Sequence, residues 1–155
     1  MNIKNTLAIL LTLANIFVAS NSFAKADVEV DANAVILSGH DAVAYFSESK
    51  AVEGSRKFTA TLNGAIYHFS SAKNRDVFKL NPSKYAPQYG GFCAYGASLG
   101  KKFDIDGKAF EVVDGKLYVN KNLNVYKTWA EEKVENIAEA DSQWATIKDI
   151  PKNDL

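Results

Sequence analysis

The sequence contains three side chains suited to holding a soft ion or acting as a nucleophile or base: His40, His68 and Cys93, its only histidines and its only cysteine. Two imidazole nitrogens and one sulfur suit zinc or copper if they converge in space. Cys93 lies within Gln88-Tyr89-Gly90-Gly91-Phe92-Cys93-Ala94-Tyr95-Gly96, a stretch rich in glycine and aromatic residues. A ligand can approach a thiol closely on such a loop, and neighbouring backbone N–H groups would favour the reactive thiolate. The competing reading makes Cys93 a small buried hydrophobe wedged between Phe92 and Tyr95. His68 alternates with Tyr67 and Phe69, so if Phe69 points inward, His68 faces the other side of the strand. A lone strand histidine is more often a surface residue than a ligand.

Tyr45, Tyr67, Tyr89, Phe92 and Tyr95 offer flat faces to an apolar or cofactor-like ligand such as a haem or a quinone; the alternative is that they fill the core, where each buries a large area. Asp104-Ile105-Asp106-Gly107 begins like a calcium loop, but Glu111 comes too early to close one, so a turn with solvated carboxylates is expected. A cysteine nucleophile needs a base and a group to orient that base. His40 or His68 is available as the base, yet no local signature recommends either. There is no phosphate cradle after a strand, no His-Glu-x-x-His helix and no Gly-x-Ser-x-Gly elbow. The expected ligand-binding residues are therefore Tyr45, Tyr67, Phe92, Cys93 and Tyr95. Those expected to hold a metal are Cys93, His68 and His40, and no residue is assigned a catalytic role.

These groups must be positioned by short elements. Phe58–Leu62 and Ala65–Phe69 flank Asn63-Gly64; Phe110–Val113 and Lys116–Val119 flank Asp114-Gly115. Both dipeptides supply the two positive-φ positions of a type I′ turn, which predicts two β-hairpins. A further short strand is expected at Val35-Ile36-Leu37. Ser70 or Ser71 can cap a helix running through Phe78, with Ala72, Val77 and Phe78 on its buried face. Asn81-Pro82 breaks it, and a short turn through Tyr85 ends before Pro87. Leu123, Val125, Tyr126 and Trp129 predict one C-terminal helix, and Ile137, Ala140, Trp144 and Ile147 another. Pro151 is read as the start of a frayed tail. The expected fold class is a small single α+β domain, two hairpins packed against three or four short helices.

Lys4 precedes an apolar run from about Leu7 to Ala19, and small residues follow at Ser22 and Ala24. This is the pattern of a secretory signal peptide cut after Ala24, with a second option after Ala26. The run is too short to cross a bilayer. The expected organisation is a signal over 1–24, a leader over 25–34 and one domain over 35–150, located in the periplasm or secreted. No cysteine lies near either cut, so a lipid anchor is not expected. Eighteen basic and eighteen acidic residues balance, and without a basic stripe nucleic acid is a poor partner. A small ligand or a metal ion is the expected partner, with no membrane span after the signal is removed. One cysteine allows no intrachain disulfide. The only methionine is Met1, which leaves with the signal, so a thioether-rich copper site has no ligands.

Tyr67-His68-Phe69-Ser70, Arg75-Asp76-Val77-Phe78 and Asn81-Pro82-Ser83-Lys84-Tyr85 together resemble the YHS domain, a small module found in heavy-metal transporters and related proteins. Gly39-His40-Asp41-Ala42-Val43-Ala44-Tyr45-Phe46 is similar to its N-terminal block, with Ala42 where proline is usual. The whole pattern, from Leu37 to Ile147, resembles a secreted, stand-alone YHS subgroup. The resemblance implies a shared fold and a non-enzymatic binding module for a transition metal, chiefly copper or zinc. It also implies where thiol ligands would lie, and at those places this chain has Ala44, Ser70 and Asn74. Two other functions compete: a binder of a small apolar ligand in an aromatic pocket, and a thiol-dependent enzyme or redox partner acting through Cys93.

Overall fold

A computed structural model describes residues 27–155; the expected signal peptide lies outside them. Among the described residues, six α-helices and two separate two-stranded antiparallel sheets make a small α+β domain. The first hairpin pairs β1 (Ser55–Leu62) with β2 (Ala65–Phe69), and the second pairs β3 (Asp106–Val113) with β4 (Lys116–Asn120). Their turns use the left-handed conformations that the sequence requires: φ is 51° and 79° at Asn63 and Gly64, and 50° and 73° at Asp114 and Gly115. Ala65, Tyr67 and Phe69 point inward while Ile66 and His68 alternate to the other face.

The helices are α1 (Ala44–Ser47), α2 (Ala72–Leu80), α3 (Pro82–Tyr85), α4 (Ala94–Ser98), α5 (Leu123–Glu131) and α6 (Lys133–Ile147). Ser71 caps α2 by accepting from the N–H of Asn74 at 3.1 Å. Asn122 caps α5 in the same way through Val125 at 2.9 Å. The short helices α1 and α4 exceed the expected three or four because neither has an apolar stripe long enough to register as periodicity. Two further expectations need correction. Val35–Leu37 is not a strand: Val35 makes a single bridge to Ile66, after which positive φ at Leu37 and Ser38 turns the chain out of the pleat. Leu123, placed on the α5 stripe, is 53% exposed.

Two apolar cores result. The first gathers Ile36, Leu37, Tyr45, Tyr67, Phe69, Phe78, Leu117 and Val119; the second gathers Tyr89, Ala94, Ala97, Tyr118, Trp129 and Ala140. Strand β4 joins them. Successive residues point to opposite faces, so Leu117 and Val119 enter one core while Tyr118 enters the other.

The first described residues and the C-terminal segment are tied together, contrary to the frayed tail expected from Pro151. The N–H of Asp27 donates to the Lys148 carbonyl at 3.1 Å, that of Glu29 to the Gly90 carbonyl at 2.9 Å, and that of Lys152 to Asp27 Oδ2 at 3.0 Å. Lys102 locks this junction. Its buried Nζ donates to the Ile150 carbonyl at 2.5 Å and the Lys148 carbonyl at 3.1 Å. Here it neutralises the negative end of α6 and lies over the rings of Phe92 and Trp144.

Candidate functional site

The N-terminal block that carries His40 turns on Asp41, which is fully buried. Asp41 Oδ1 accepts from the N–H of Val43 at 2.9 Å and of Ala44 at 3.3 Å. Its Oδ2 accepts from the Ser70 N–H at 2.8 Å, the Ser70 hydroxyl at 2.7 Å and the Asn74 amide at 2.8 Å. The three positions where the resemblance implies thiol ligands thus do converge, and they converge on a carboxylate. The Ala44 main-chain N–H, the Ser70 hydroxyl and the Asn74 amide serve here as donors to an anion. Both carboxylate oxygens are saturated, and no sulfur is present, so this cluster does not fit copper or zinc.

The second expected set is not brought together either. Among the described residues, no group of three or more His, Cys, Asp or Glu side chains could hold a metal ion, so His40, His68 and Cys93 do not converge. His40 is a core residue. Its Nδ1 lies 3.0 Å from the Leu37 carbonyl, and because that oxygen can only accept, Nδ1 carries the proton. Gly107 packs against the ring so tightly that a β-carbon there would come within 2.5 Å of Nδ1.

Cys93 is buried and caps the short helix α4, its sulfur accepting from the Gly96 N–H at 3.4 Å. Its thiol faces Asn120 Oδ1 at 3.6 Å. Burial pushes the thiol above its ordinary pKa, against the downward pull of the N–H groups of Gly96, Lys121 and Tyr95. Neither histidine is among its hydrogen-bond partners. A sulfur held this way is a packing and capping group.

The aromatic residues expected to line one pocket are divided between the two cores. Tyr45 is in the first, its hydroxyl donating to the Gly107 carbonyl at 2.7 Å and its ring 4.5 Å from that of Phe110. Tyr67 packs on Phe78 with ring centroids 4.6 Å apart. Phe92 faces Trp144, and Tyr95 packs at the edge of the second core. The expected carboxylate turn at Asp104–Gly107 is replaced by an extended approach to β3. There the exposed Asp104 pairs with Lys152, and Asp106 accepts from the Lys108 N–H at 2.9 Å.

His68 alone of the three expected ligands faces an open cavity. On the outer face of β2 it lines a cleft of about 290 Å³ with Asp31, Val35, Ser38, Gly39, Glu53, Gly54 and Arg56. Two glycines frame the imidazole. A β-carbon at Gly54 would come within 2.5 Å of the His68 backbone, and one at Gly39 would sit 3.7 Å from Nδ1. Of the lining residues Ser38 and Gly39 have positive φ, and so do Ala34 and Leu37 in the same segment, conformations that non-glycine residues adopt at an energetic cost and that concentrate at functional sites. The Asp31 carboxyl is held below the usual range, first by the N–H of Val35 against the opposing effect of desolvation, then by Asn33 and by nearby His68. The cleft therefore combines a guanidinium and an imidazole with two carboxylates. Asp31, Glu53 and Arg56 carry no motif; only the fold of the hairpin across the N-terminal segment brings them to His68.

Compared with known proteins, the chain matches no family model, no curated protein and no solved structure.

Proposed function

We propose that this chain is an exported, non-enzymatic binding module of the YHS type whose ligand position is the cleft around His68. The family reading is supported by the way the resembling segments interlock. Asp41 of the first block binds Ser70 and Asn74, Tyr67 packs on Phe78, and Phe46 meets Tyr85 edge-on at 5.3 Å. Export rests on the apolar leader and the small residues at Ser22 and Ala24.

One observation carries the ligand position: the accessible imidazole stands in a preformed polar cleft that Arg56, Asp31 and Glu53 also line. Arg56 and His68 suit an anionic group, whereas Asp31 and Glu53 suit an ammonium or a hydrogen-bond donor. A small zwitterion or amino-acid-like molecule satisfies both pairs. A thiol enzyme is disfavoured by the burial and raised pKa of Cys93.

The test is native mass spectrometry and elemental analysis of mature protein isolated from its own compartment. A small organic ligand on the wild type, absent from His68→Ala, is the expected result. Stoichiometric copper or zinc, or a ligand retained undiminished by His68→Ala, would overturn the reading.

A further inference from the structure

A second depression lies on another face, between α1, the first turns of α2, and α3. It encloses about 430 Å³, within the rough 300–1,000 Å³ range of small-ligand sites. Its floor is apolar: Val43 beneath, half-buried Phe46 and Tyr85 edge-to-face at 5.3 Å, and half-buried Val77. Its rim is cationic. Lys73 and Val77 are four residues apart and share one face of α2, while Lys84 extends from α3 with its Nζ over the Tyr85 ring at 5.3 Å. Both lysines are exposed, and among the described residues neither belongs to an ion pair. Glu48 is the one carboxylate on the lining, with Ser47 and Asn74 completing it.

We propose that this depression binds a free single-chain amphiphile with an anionic head, such as a medium-chain fatty carboxylate, independently of the His68 cleft. The apolar floor covers the tail while Lys73 and Lys84 face the head. Two lysines complement one small anion, whereas docking to an anionic membrane surface uses clusters of about four to eight basic residues. The occupant is therefore a monomer in solution.

The mature chain would be titrated calorimetrically with sodium dodecanoate below its micelle-forming concentration, and the contacts mapped by amide NMR. Dodecyltrimethylammonium, with the same tail and opposite charge, and acetate, the head alone, are the comparators. Binding of one dodecanoate is expected, with shifts at Val43, Phe46, Lys73, Val77 and Tyr85. The Lys73→Ala/Lys84→Ala variant should bind roughly five- to tenfold more weakly, with unchanged circular dichroism because both side chains are exposed. His68→Ala should bind as the wild type does. Failure of dodecanoate to bind, equal affinity for the cationic amphiphile, or full affinity in the double variant would overturn the proposal. So would sedimentation with phosphatidylglycerol vesicles in preference to binding the monomer.

Discussion

Replacing Asp41 by asparagine changes one atom and tests whether the buried carboxylate organises the first block. The shape is retained, so the effect comes from hydrogen bonding and charge. If the new amide nitrogen takes the place of Oδ2 it opposes three donors, from Ser70 and Asn74. If it takes the place of Oδ1 it opposes the N–H groups of Val43 and Ala44. The second arrangement loses less, because the Ala44 N–H also reaches the Asp41 carbonyl at 3.2 Å. It still orphans the Val43 N–H, at about 1–3 kcal/mol, and removes charge assistance from three remaining bonds, at about 1 kcal/mol each. Relief of the carboxylate's own desolvation offsets part of this, leaving a net loss of about 2–4 kcal/mol. Urea unfolding of the mature chain should show the midpoint falling by roughly 1–2.5 M with the slope unchanged. Ser70→Ala added to Asp41→Asn should cost less than it does alone, since the two share one network. A single-variant loss below about 0.5 kcal/mol, the size of an ordinary surface change, would refute the reasoning.

Glu29 makes stability fall with pH. Burial raises its pKa to about 7, with Asp104 and Asp31 adding to the effect and Lys152 opposing it. Between the ordinary value near 4.5 and about 7 the folded chain holds a proton that the unfolded chain has released, so stability declines across that interval and the penalty is complete above it. Glu29→Gln should abolish the decline and, after allowance for partial exposure, add about 1 kcal/mol at pH 8; equal slopes in both proteins would count against this. Cys93 should resist a thiol reagent at pH 8 until the chain unfolds, and rapid native labelling would contradict its burial. Lys102→Met should lower stability by about 2–4 kcal/mol by leaving the Lys148 and Ile150 carbonyls without their charged donor. An unchanged melting temperature would show that the junction holds without it.

Local rules made much of the fold readable. Asn63-Gly64 and Asp114-Gly115 demand left-handed turns, and both hairpins formed where those turns placed them. The spacing of Ile137, Ala140, Trp144 and Ile147 marked the inner side of α6. The site was less legible because its parts come from distant segments. Alternation on β2 placed His68 outward, but the charged groups beside it come from Asp31 and from the start of β1. Asp41 stands inside the N-terminal block without any local sign that Ser70 and Asn74 would donate to it. Aromatic residues that suggested one pocket were drawn into two cores because β4 buries both of its faces. The role of Lys102 has no local signal, because nothing in its sequence neighbours reveals that α6 ends against it.

The cleft around His68 is tested most directly by amide NMR of the mature chain, titrated in turn with small zwitterions, dicarboxylates, copper and zinc. A zwitterion that shifts Asp31, Ser38, Gly39, Glu53, Arg56 and His68 together, and does so no longer after Arg56→Ala, is the expected outcome. Shifts confined to Cys93, Gly96 and Asn120, or a tight metal response centred on Ala44, Ser70 and Asn74, would contradict it.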